Sequence, residues 1–422
     1  MRWLAERIDA AHLTVFRVLF GLILAVAPVR FAAYGWIEAL YLEPTFHFAW
    51  TRFAVVPSAP VLYAMHGLMA LCGVAIAAGR LYRPALAVYL GCFTYLELLD
   101  KTLYLNHYVL VTILLVTLLV APWRPEHTRA ARWVRELLRL ELGLVWFWAG
   151  VCKLNPDWLL RGEPLHTWLR ARMEIPVVGP WLALPETALV MSWAGAAFDL
   201  SIYALLLWPR TRVVGFVLLT GFHLITGLLF PIGVFPWVMI AGALLFLPDA
   251  AVARVSGRSA LPPEPGSMRP ATAVVMAGWV ALLALFPARH WLEPGWVNWN
   301  ERGFRLAWRV LLIEKTGQVD FRVVDRETRR RWTVSPATEL TVLQHKQMRT
   351  QPDMILDYAH HLADRNAREG RDVEVYAESW ASLNGRRTQR LVRPDVDLAR
   401  TSYDDTGWIV PLQNDAPVAS RR

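Results

Sequence analysis

Two short stretches of this sequence place titratable side chains inside otherwise apolar runs. "LDKTLYLNHYVL" carries Asp100, Lys101, Asn106 and His107, and "FWAGVCKLNPDW" carries Lys153. A lysine in an apolar setting loses hydration, which disfavours the ammonium and makes the free amine available as a base. A histidine can donate to or accept from a reacting oxygen, and we expect Asn106 to fix the orientation of His107. These residue types predict acid–base chemistry at a dry site.

Two further polar side chains lie in apolar runs, Asp199 in "AAFDLS" and His223 in "GFHLITGLLFPIGVFPW". Polar groups at membrane depth are costly, so they tend to be paired and functional. In one interpretation, both residues support the acid–base site. The other makes them polar contacts that hold helices together.

Each candidate also has a structural interpretation that spacing alone does not exclude. Lys153 can snorkel from a helix end to the membrane interface. Asp100 and Lys101 can form an ordinary interfacial ion pair. His107 can be a histidine whose hydrogen bonds are satisfied within the fold.

The composition is that of an integral membrane protein. The chain has 422 residues, of which 55% are hydrophobic, and its mean hydropathy of +0.31 is too apolar for an ordinary soluble enzyme. The formal charge is +9, but the arginines cluster in short loops beside apolar runs, which predicts membrane topology rather than nucleic-acid binding. Three cysteines without C-x-x-C spacing argue against a disulfide framework and a zinc site, and no metal is expected.

Nine apolar runs predict about nine transmembrane helices. Several are shorter than the roughly 20 residues that a straight span needs, which is typical of helices packed inside a bundle. We keep the first run as a helix, because Pro28 follows the sequence Ala25-Val26-Ala27 and is expected to hinder cleavage by signal peptidase. The runs cover residues 13–29, 61–78, 85–99, 103–121, 137–151, 188–208, 213–230, 232–247 and 271–287.

Basic residues in five loops determine the predicted orientation. With nine spans, all five loops fall on one side of the membrane, which puts the amino terminus inside and everything after Pro287 outside, in a bacterium the periplasm.

Beyond residue 287, "QVDFRVVD", "RRWTVSP" and "DVEVYAESWASL" alternate like strands, and "PDMILDYAHHLADRNAREG" has the spacing of an amphipathic helix. The predicted fold is an α-helical polytopic membrane domain over residues 1–287, followed by a mostly β extramembrane domain over residues 288–422.

Taken in order, these segments resemble the vitamin K-dependent γ-glutamyl carboxylase family and its bacterial relatives with a horizontally transferred transmembrane (HTTM) domain. The resemblance rests on "VFRVLFG", "LDKTLYLNHYVL", "AGVCKLNPDW", "FHLITGLLFPIGVF", "NWNERGFRLAWRV", "RRTQRLVRPDVDL" and "TGWIVPL", which keep the family's order and approximate spacing. It covers nearly the whole chain. The patterns "DKT-x-x-x-NH" and "AGV-x-K-L-x-x-DW" are fairly specific in combination, because each is polar within an apolar context.

The resemblance implies an enzyme that oxidises a reduced naphthoquinone with O2. That reaction provides the energy to remove a γ-proton from a protein-bound glutamate, which then adds CO2. By position, Lys153 resembles the family's base, which deprotonates the hydroquinone. His107 and Asn106 resemble residues that support the reacting glutamate and its carbanion.

The four other polar residues, Asp100, Lys101, Asp199 and His223, are carried as support for cofactor binding. The implied cofactor is reduced vitamin K, as menaquinol or phylloquinol, with O2 and CO2 as co-substrates. The implied partners are a glutamate-containing protein or peptide, the lipid bilayer and the quinone pool, and no nucleic acid. Two alternatives stay open: a quinone- or lipid-binding protein without the full chemistry, and a transporter with Asp199 and His223 along its path.

The sequence departs from the animal relatives in three respects. Cys152 stands where those relatives tend to have a second lysine, so electrostatic help from that neighbour is missing. The outer domain has no cysteine, so the disulfide that ties membrane and lumenal parts together in animal relatives is not expected. The shorter carboxyl-terminal domain argues against propeptide-style docking.

Overall fold

The computed structural model of the chain describes residues 2–230, 232–255, 257 and 259–413. Each predicted apolar run coincides there with a helix, and we number these helices in chain order. They are α1 (Ala11–Ala33), α2 (Ala59–Ala78), α3 (Tyr82–Leu99), α4 (Asn106–Val120), α5 (Arg132–Lys153), α6 (Pro185–Leu207), α7 (Arg212–Leu229), α8 (Phe235–Ala243) and α9 (Pro270–Leu285). Shorter helices include Pro156–Arg161, Leu165–Arg170, Gly179–Leu182, Asp249–Val255 and Val297–Asn300.

The helices are those of a multi-pass membrane protein, but nine crossings are not confirmed. Among the described residues, five helices are long and apolar enough to span a membrane: α1, α2, α6, α7, and α9 when continued to Leu292. A sixth candidate joins Phe235–Phe246 to Asp249–Val255 across a bend of 117°. α4 has only 15 residues, and α5 begins with the charged sequence "RWVRELLRLE". Both therefore depend on neighbouring helices for their burial.

α1 and α2 pack so closely that their backbones meet at small residues. A Cβ added to Gly21 would lie 2.5 Å from the backbone nitrogen of Ala77, and one added to Gly73 would lie 2.4 Å from that of Ala25. On each helix the two small residues are four positions apart and so share one face. Within a membrane, such close approach supplies van der Waals packing where no hydrophobic driving force acts between helices.

α5 and α6 form a second close pair. A Cβ added to Gly150 of α5 would lie 2.8 Å from the side chain of Leu200 on α6. Lys153 follows Gly150 by three positions, and Asp199 immediately precedes Leu200. The absence of a side chain at Gly150 therefore lets the two helices meet where the lysine and the aspartate lie.

The outer region contains an antiparallel sheet of four strands with helices beside it. The strands β1 (Arg7–Asp9) and β2 (Arg129–Ala131) pair separately, near the amino terminus. The outer elements are β3 (Lys315–Asp325), β4 (Arg331–Val334), α10 (Val342–Met348), α11 (Pro352–Arg368), β5 (Val373–Leu383) and β6 (Gln389–Arg390). The strand order in the outer sheet is β4-β3-β5-β6.

The three predicted strands and the amphipathic helix are confirmed as β3, β4, β5 and α11. The description of this domain as mostly β is confirmed only in part, because helices lie beside its small sheet. α11 has 17 residues, more than the 11 of each long strand. Burial alternates along β5, which leaves one face of the sheet to be covered, and α11 packs there with Ile355, Tyr358 and Leu362 in the shared core. The domain therefore combines helix and sheet in one core.

The loop between α1 and α2 belongs in part to the outer domain. Phe46 and Phe48 from this loop pack in the outer core. The backbone N–H of Lys101, after α3, donates to the carbonyl of Phe48 at 2.8 Å. Two connections of the membrane domain thus form the base on which the outer sheet and its helix rest.

The contact between α1 and α2 predicts a sharp difference between two glycines of α2. Gly73→Val should lower the free energy of unfolding by roughly 3 kcal/mol, the upper end for overpacked sites, because its Cβ meets backbone that cannot move aside. Gly67→Val, on the same helix, has nothing within 4 Å of its added Cβ and is the matched control. The measurement is the melting temperature in detergent. Equal decreases for both variants would contradict the close helix contact.

Candidate active site

Lys153 is the last residue of α5, and the residues after it explain why the helix ends there. Asn155 Oδ1 accepts a hydrogen bond from the backbone N–H of Trp158 at 3.1 Å, and Pro156 begins the next short helix. An asparagine cap followed by proline starts a new helix and cannot continue the preceding one. Asn155 and Pro156 therefore stop this helix.

The side chain of Lys153 forms a buried ion pair with Asp199 on α6. Lys153 Nζ lies 2.7 Å from Asp199 Oδ2, 3.4 Å from the carbonyl oxygen of Ala149 and 5.2 Å from the centre of the Trp158 ring. Both charged residues are 5% exposed. The snorkelling interpretation is therefore wrong, because a carboxylate holds the ammonium inside the protein. Asp199 joins two helices, as one of its two interpretations predicted.

A cavity of about 90 Å³, which we call the lysine cavity, lies against this ion pair. Lys153, Asp199 and His223 are the charged or imidazole side chains in its wall. His223 is 2% exposed, and among the described residues neither of its ring nitrogens has a hydrogen-bond partner. Buried polar atoms are rarely left unpaired, so His223 has hydrogen bonds to offer a ligand in this cavity. The remaining wall includes Trp158, Met191, Phe222, Phe230 and Phe235.

His107 and His223 pack against the same aromatic side chain. The ring centre of Phe235 lies 5.9 Å from that of His107 and 5.5 Å from that of His223. Within the described part of the chain, the His107 ring has ring contacts but no hydrogen bond, so the interpretation as a satisfied structural histidine is wrong. Asn106 Oδ1 accepts from the hydroxyl of Tyr104 at 2.9 Å. The expected orientation of His107 by Asn106 therefore has no hydrogen bond to support it.

Asp100 and Lys101 join the membrane domain to the outer domain. Asp100 accepts from the backbone N–H of Thr102 at 2.8 Å and from Nε2 of Gln344 at 2.9 Å. Lys101 Nζ lies 2.6 Å from Asp357 Oδ2, so the interpretation of Asp100 and Lys101 as partners of each other is wrong. Burial raises the pKa of Asp357, and Lys101 offsets part of that increase. Asp100 and Lys101 do not line the lysine cavity, and their role in cofactor binding stays a prediction.

Asp157 is a buried residue that sequence reasoning missed. It is 1% exposed and accepts hydrogen bonds from both terminal nitrogens of Arg386, at 2.7 and 2.6 Å. Nδ2 of Asn384 donates to it at 2.9 Å. This bidentate pair ties the segment just after Lys153 to the outer domain. The sequence signal for this site was the acidic residue Asp157 within "KLNPDW". Its partner Arg386 lies 229 residues further along the chain, beyond the reach of any local pattern.

The segment between α9 and β3 connects the outer domain to the lysine cavity. Leu311 lines the cavity, and the backbone N–H of Leu306 donates to the hydroxyl of Tyr104 at 2.6 Å. Arg305 forms an ion pair with Asp353 of α11. Burial opposes the charge on Asp353, but Arg305 holds its pKa below the usual range. The segment that forms one wall of the cavity is thus anchored, just before Leu311, both to the outer domain and to a residue before α4.

A second and larger cavity of about 390 Å³ lies between α1, α2, α3 and α10. We call it the aromatic cavity, because its lining includes Phe31, Trp36, Tyr41, Phe93 and Tyr108.

The lysine cavity, at about 90 Å³, is smaller than the roughly 300–1,000 Å³ of most small-molecule pockets. Its apolar wall, buried lysine and free imidazole fit the chemistry of a hydroquinone. Its volume accommodates a bicyclic ring only when lining side chains move.

Two family models match this chain. A family model for the HTTM domain matches residues 5–250. A model for the vitamin K-dependent gamma-carboxylase lumenal domain matches residues 268–415. No solved structure matches the chain.

The buried pair of Lys153 and Asp199 predicts a non-additive pattern of stability. Removing one partner of a buried pair costs about 3–5 kcal/mol, because the other charge is left uncompensated, whereas replacing both with apolar residues is often neutral. Lys153→Met and Asp199→Leu should each lower the melting temperature in detergent, and the double variant should recover most of the loss. If the two losses simply added, the charges would not depend on each other.

Proposed function

We propose a function from the premise that this chain belongs to the HTTM domain family and matches the gamma-carboxylase lumenal domain: it is a vitamin K-dependent γ-glutamyl carboxylase. It converts a protein glutamate, CO2, O2 and a reduced naphthoquinone into γ-carboxyglutamate, the quinone epoxide and water. The reaction makes the protein a carbon–carbon lyase with quinol epoxidase activity. The observation that supports it most directly is a buried lysine at a largely apolar cavity, beside a histidine with free ring nitrogens.

Lys153 serves as the base in this proposal, and for that role it must first become an amine. A proton can move from Lys153 Nζ to Asp199 Oδ2 across their 2.7 Å contact, which turns two charges in a dry site into two neutral groups. The amine then accepts the proton of a quinol hydroxyl. Asp199 thereby determines the protonation state of Lys153. In this proposal, that proton transfer is the reason why an aspartate lies so close to the base.

The other polar residues take separate roles in the proposal. His223 lies in the wall of the lysine cavity, where its free nitrogens would hold a quinol oxygen by hydrogen bonding. The reduced naphthoquinone, when bound with O2, supplies the driving force for removing the glutamate γ-proton. His107 and Asn106 support the glutamate, next to Phe235 of the cavity wall.

The proposed location is the inner membrane of a bacterium, with the amino terminus in the cytoplasm and the outer domain in the periplasm. Nine passages through the bilayer, including short and bent ones, would satisfy this orientation. Residues 1–287 would form the membrane domain and residues 288–422 the periplasmic domain. The site then lies near the outer leaflet, where quinones partition and a peptide can arrive from the periplasm.

A second function is favoured by the same ion pair that supports the first. As an ammonium held by Asp199 at 2.7 Å, Lys153 is not a base. A protein that kept this state would bind a quinone without carboxylating a peptide, or would oxidise the quinone without coupling. It predicts binding of menaquinol and no γ-carboxyglutamate.

Lys153→Arg is the decisive variant for the carboxylase proposal. An arginine keeps the positive charge opposite Asp199 but cannot be deprotonated in a protein, so it preserves the ion pair and removes the base. We expect both epoxide formation and carboxylation to fall by at least about 100-fold, the lower range for loss of general-base catalysis. Lys346→Arg, at an exposed lysine of α10, is the matched control and should keep full activity.

The assay uses purified protein in detergent with reduced vitamin K, O2, labelled bicarbonate and a glutamate-containing peptide. Epoxide and acid-stable label are recorded together. Both products in the wild type, and neither in Lys153→Arg, support the carboxylase. Unchanged turnover in that variant would eliminate Lys153 as the base, and epoxide without label would favour uncoupled quinol oxidation.

A further inference from the structure

Arg30 is a cation without a counterion, near the end of α1 that faces the outer domain. In the described part of the chain its side chain forms no ion pair and no hydrogen bond, and its Nε is buried without a partner. Its guanidinium lies 5.6 Å from the ring centre of Tyr34 and 5.3 Å from that of Trp36. These aromatic contacts orient the guanidinium but do not neutralise its charge.

Arg30 and His107 converge on Gly233. A Cβ added to Gly233 would lie 3.5 Å from Arg30 Nη2 and 3.7 Å from His107 Nε2. The φ angle of Gly233 is +61°, a conformation that favours glycine, so no side chain of this residue separates the two groups. His107 is only 9% exposed. A charged donor and a buried imidazole therefore face one small region, and neither has a hydrogen bond to a described residue.

The amino-terminal end of α4 adds positive potential at the same place. His107 is the second residue of this 15-residue helix, and no side chain caps its first turn. Free amides in a first turn carry partial positive charge and favour an anion. Glu97 of α3, a carboxylate in the wall of the aromatic cavity, forms no ion pair with Arg30. Among the described residues, a cation, an imidazole and a helix terminus thus meet here, and no acid forms an ion pair with Arg30.

We propose that Arg30 completes the glutamate site at His107 by binding the side-chain carboxylate of the substrate glutamate. The identity of this ligand rests on the proposed function. The position suits it, because His107 packs against Phe235, which lines the lysine cavity. The guanidinium matches a carboxylate with two parallel hydrogen bonds, which a lysine at this position would not provide.

This site also acts where charge develops during the reaction. When the γ C–H bond breaks, the proton leaves to the base generated by quinol oxidation, and the electron pair stays on the carbon and spreads onto the carboxylate oxygens. That pair then forms the new carbon–carbon bond to CO2. A fixed guanidinium on those oxygens stabilises the added negative charge. Arg30 therefore contributes to peptide binding and to proton removal.

Direct binding of a matched peptide pair tests this site without quinol or O2. One peptide carries the target glutamate and the other carries glutamine there, and their affinities for the detergent-purified protein are measured by thermophoresis. The wild type should prefer the glutamate peptide by about 10- to 100-fold, the range for charge-assisted hydrogen bonds. Arg30→Gln should abolish that preference while leaving the glutamine peptide's affinity unchanged. Arg30→Lys should retain part of it.

Arg52→Gln is the matched control, since Arg52 is exposed and its guanidinium also stacks on an aromatic ring, that of Phe53 at 5.1 Å. It should keep the full preference for glutamate. An equal loss of affinity for both peptides in Arg30→Gln would assign Arg30 a structural role and overturn the proposal, as would no preference in the wild type. Because quinol is absent, a chain without carboxylase activity still gives an answer about Arg30.

Bicarbonate separates the glutamate side chain from a small anion as the ligand. Titrated against the bound glutamate peptide, bicarbonate should displace it only weakly. If bicarbonate bound in an Arg30-dependent manner while the peptide preference survived Arg30→Gln, the site would belong to a small anion, and the proposed ligand would be wrong.

Discussion

A lysine and an aspartate buried in an apolar bundle are stable only together, and the surroundings of Lys153 serve that requirement. Gly150 lets α5 and α6 approach closely enough for the two charges to meet at 2.7 Å. Asn155 ends α5 at the lysine, and Trp158 then packs beside its ammonium. Desolvation of each ion costs several kcal/mol unless its partner is in place. The helix end, the close contact and the aromatic cover are therefore parts of one arrangement.

The outer domain participates in this arrangement and is more than an attached module. Asp157, just beyond the lysine, is held by Arg386 through two short hydrogen bonds. Asp100 accepts from Gln344 of α10 on another side, and Leu311 closes the lysine cavity. Three separate connections thus join the two domains, and those through Asp157 and Leu311 lie at or next to residues that line the lysine cavity.

Local forces explain what the sequence predicted, and distance explains what it did not. Apolar runs predicted the helices, and alternation predicted β3 and β5. The sequence did not predict which charged residues pair, because Lys153 and Asp199 are 46 residues apart and Asp157 and Arg386 are 229 residues apart. No periodicity specifies which helix faces which. The mostly β description was incomplete for a related reason, since strand alternation indicates a buried face without indicating that α11 covers it. Nine spans were likewise inferred from apolar length, whereas burial against neighbours lets shorter helices persist.

Polar side chains that have partners within the chain hold the fold together, whereas those without partners are candidates for ligand binding. Asp199 and Asp100 have their partners within the chain, and they hold elements together. His223, His107 and Arg30 have no hydrogen-bond partner among the described residues, although each lies at or beside a cavity in largely apolar surroundings. Burying the ring nitrogens of His223 and the Nε of Arg30 without partners costs hydration that no described residue replaces. The two proposals assign ligands to these groups. The two kinds of group also differ in chemistry, because a neutral imidazole at the lysine cavity suits a hydroxyl, whereas a guanidinium beside His107 suits a carboxylate. Two ligands of different charge can thus occupy neighbouring places without competing for the same side chains.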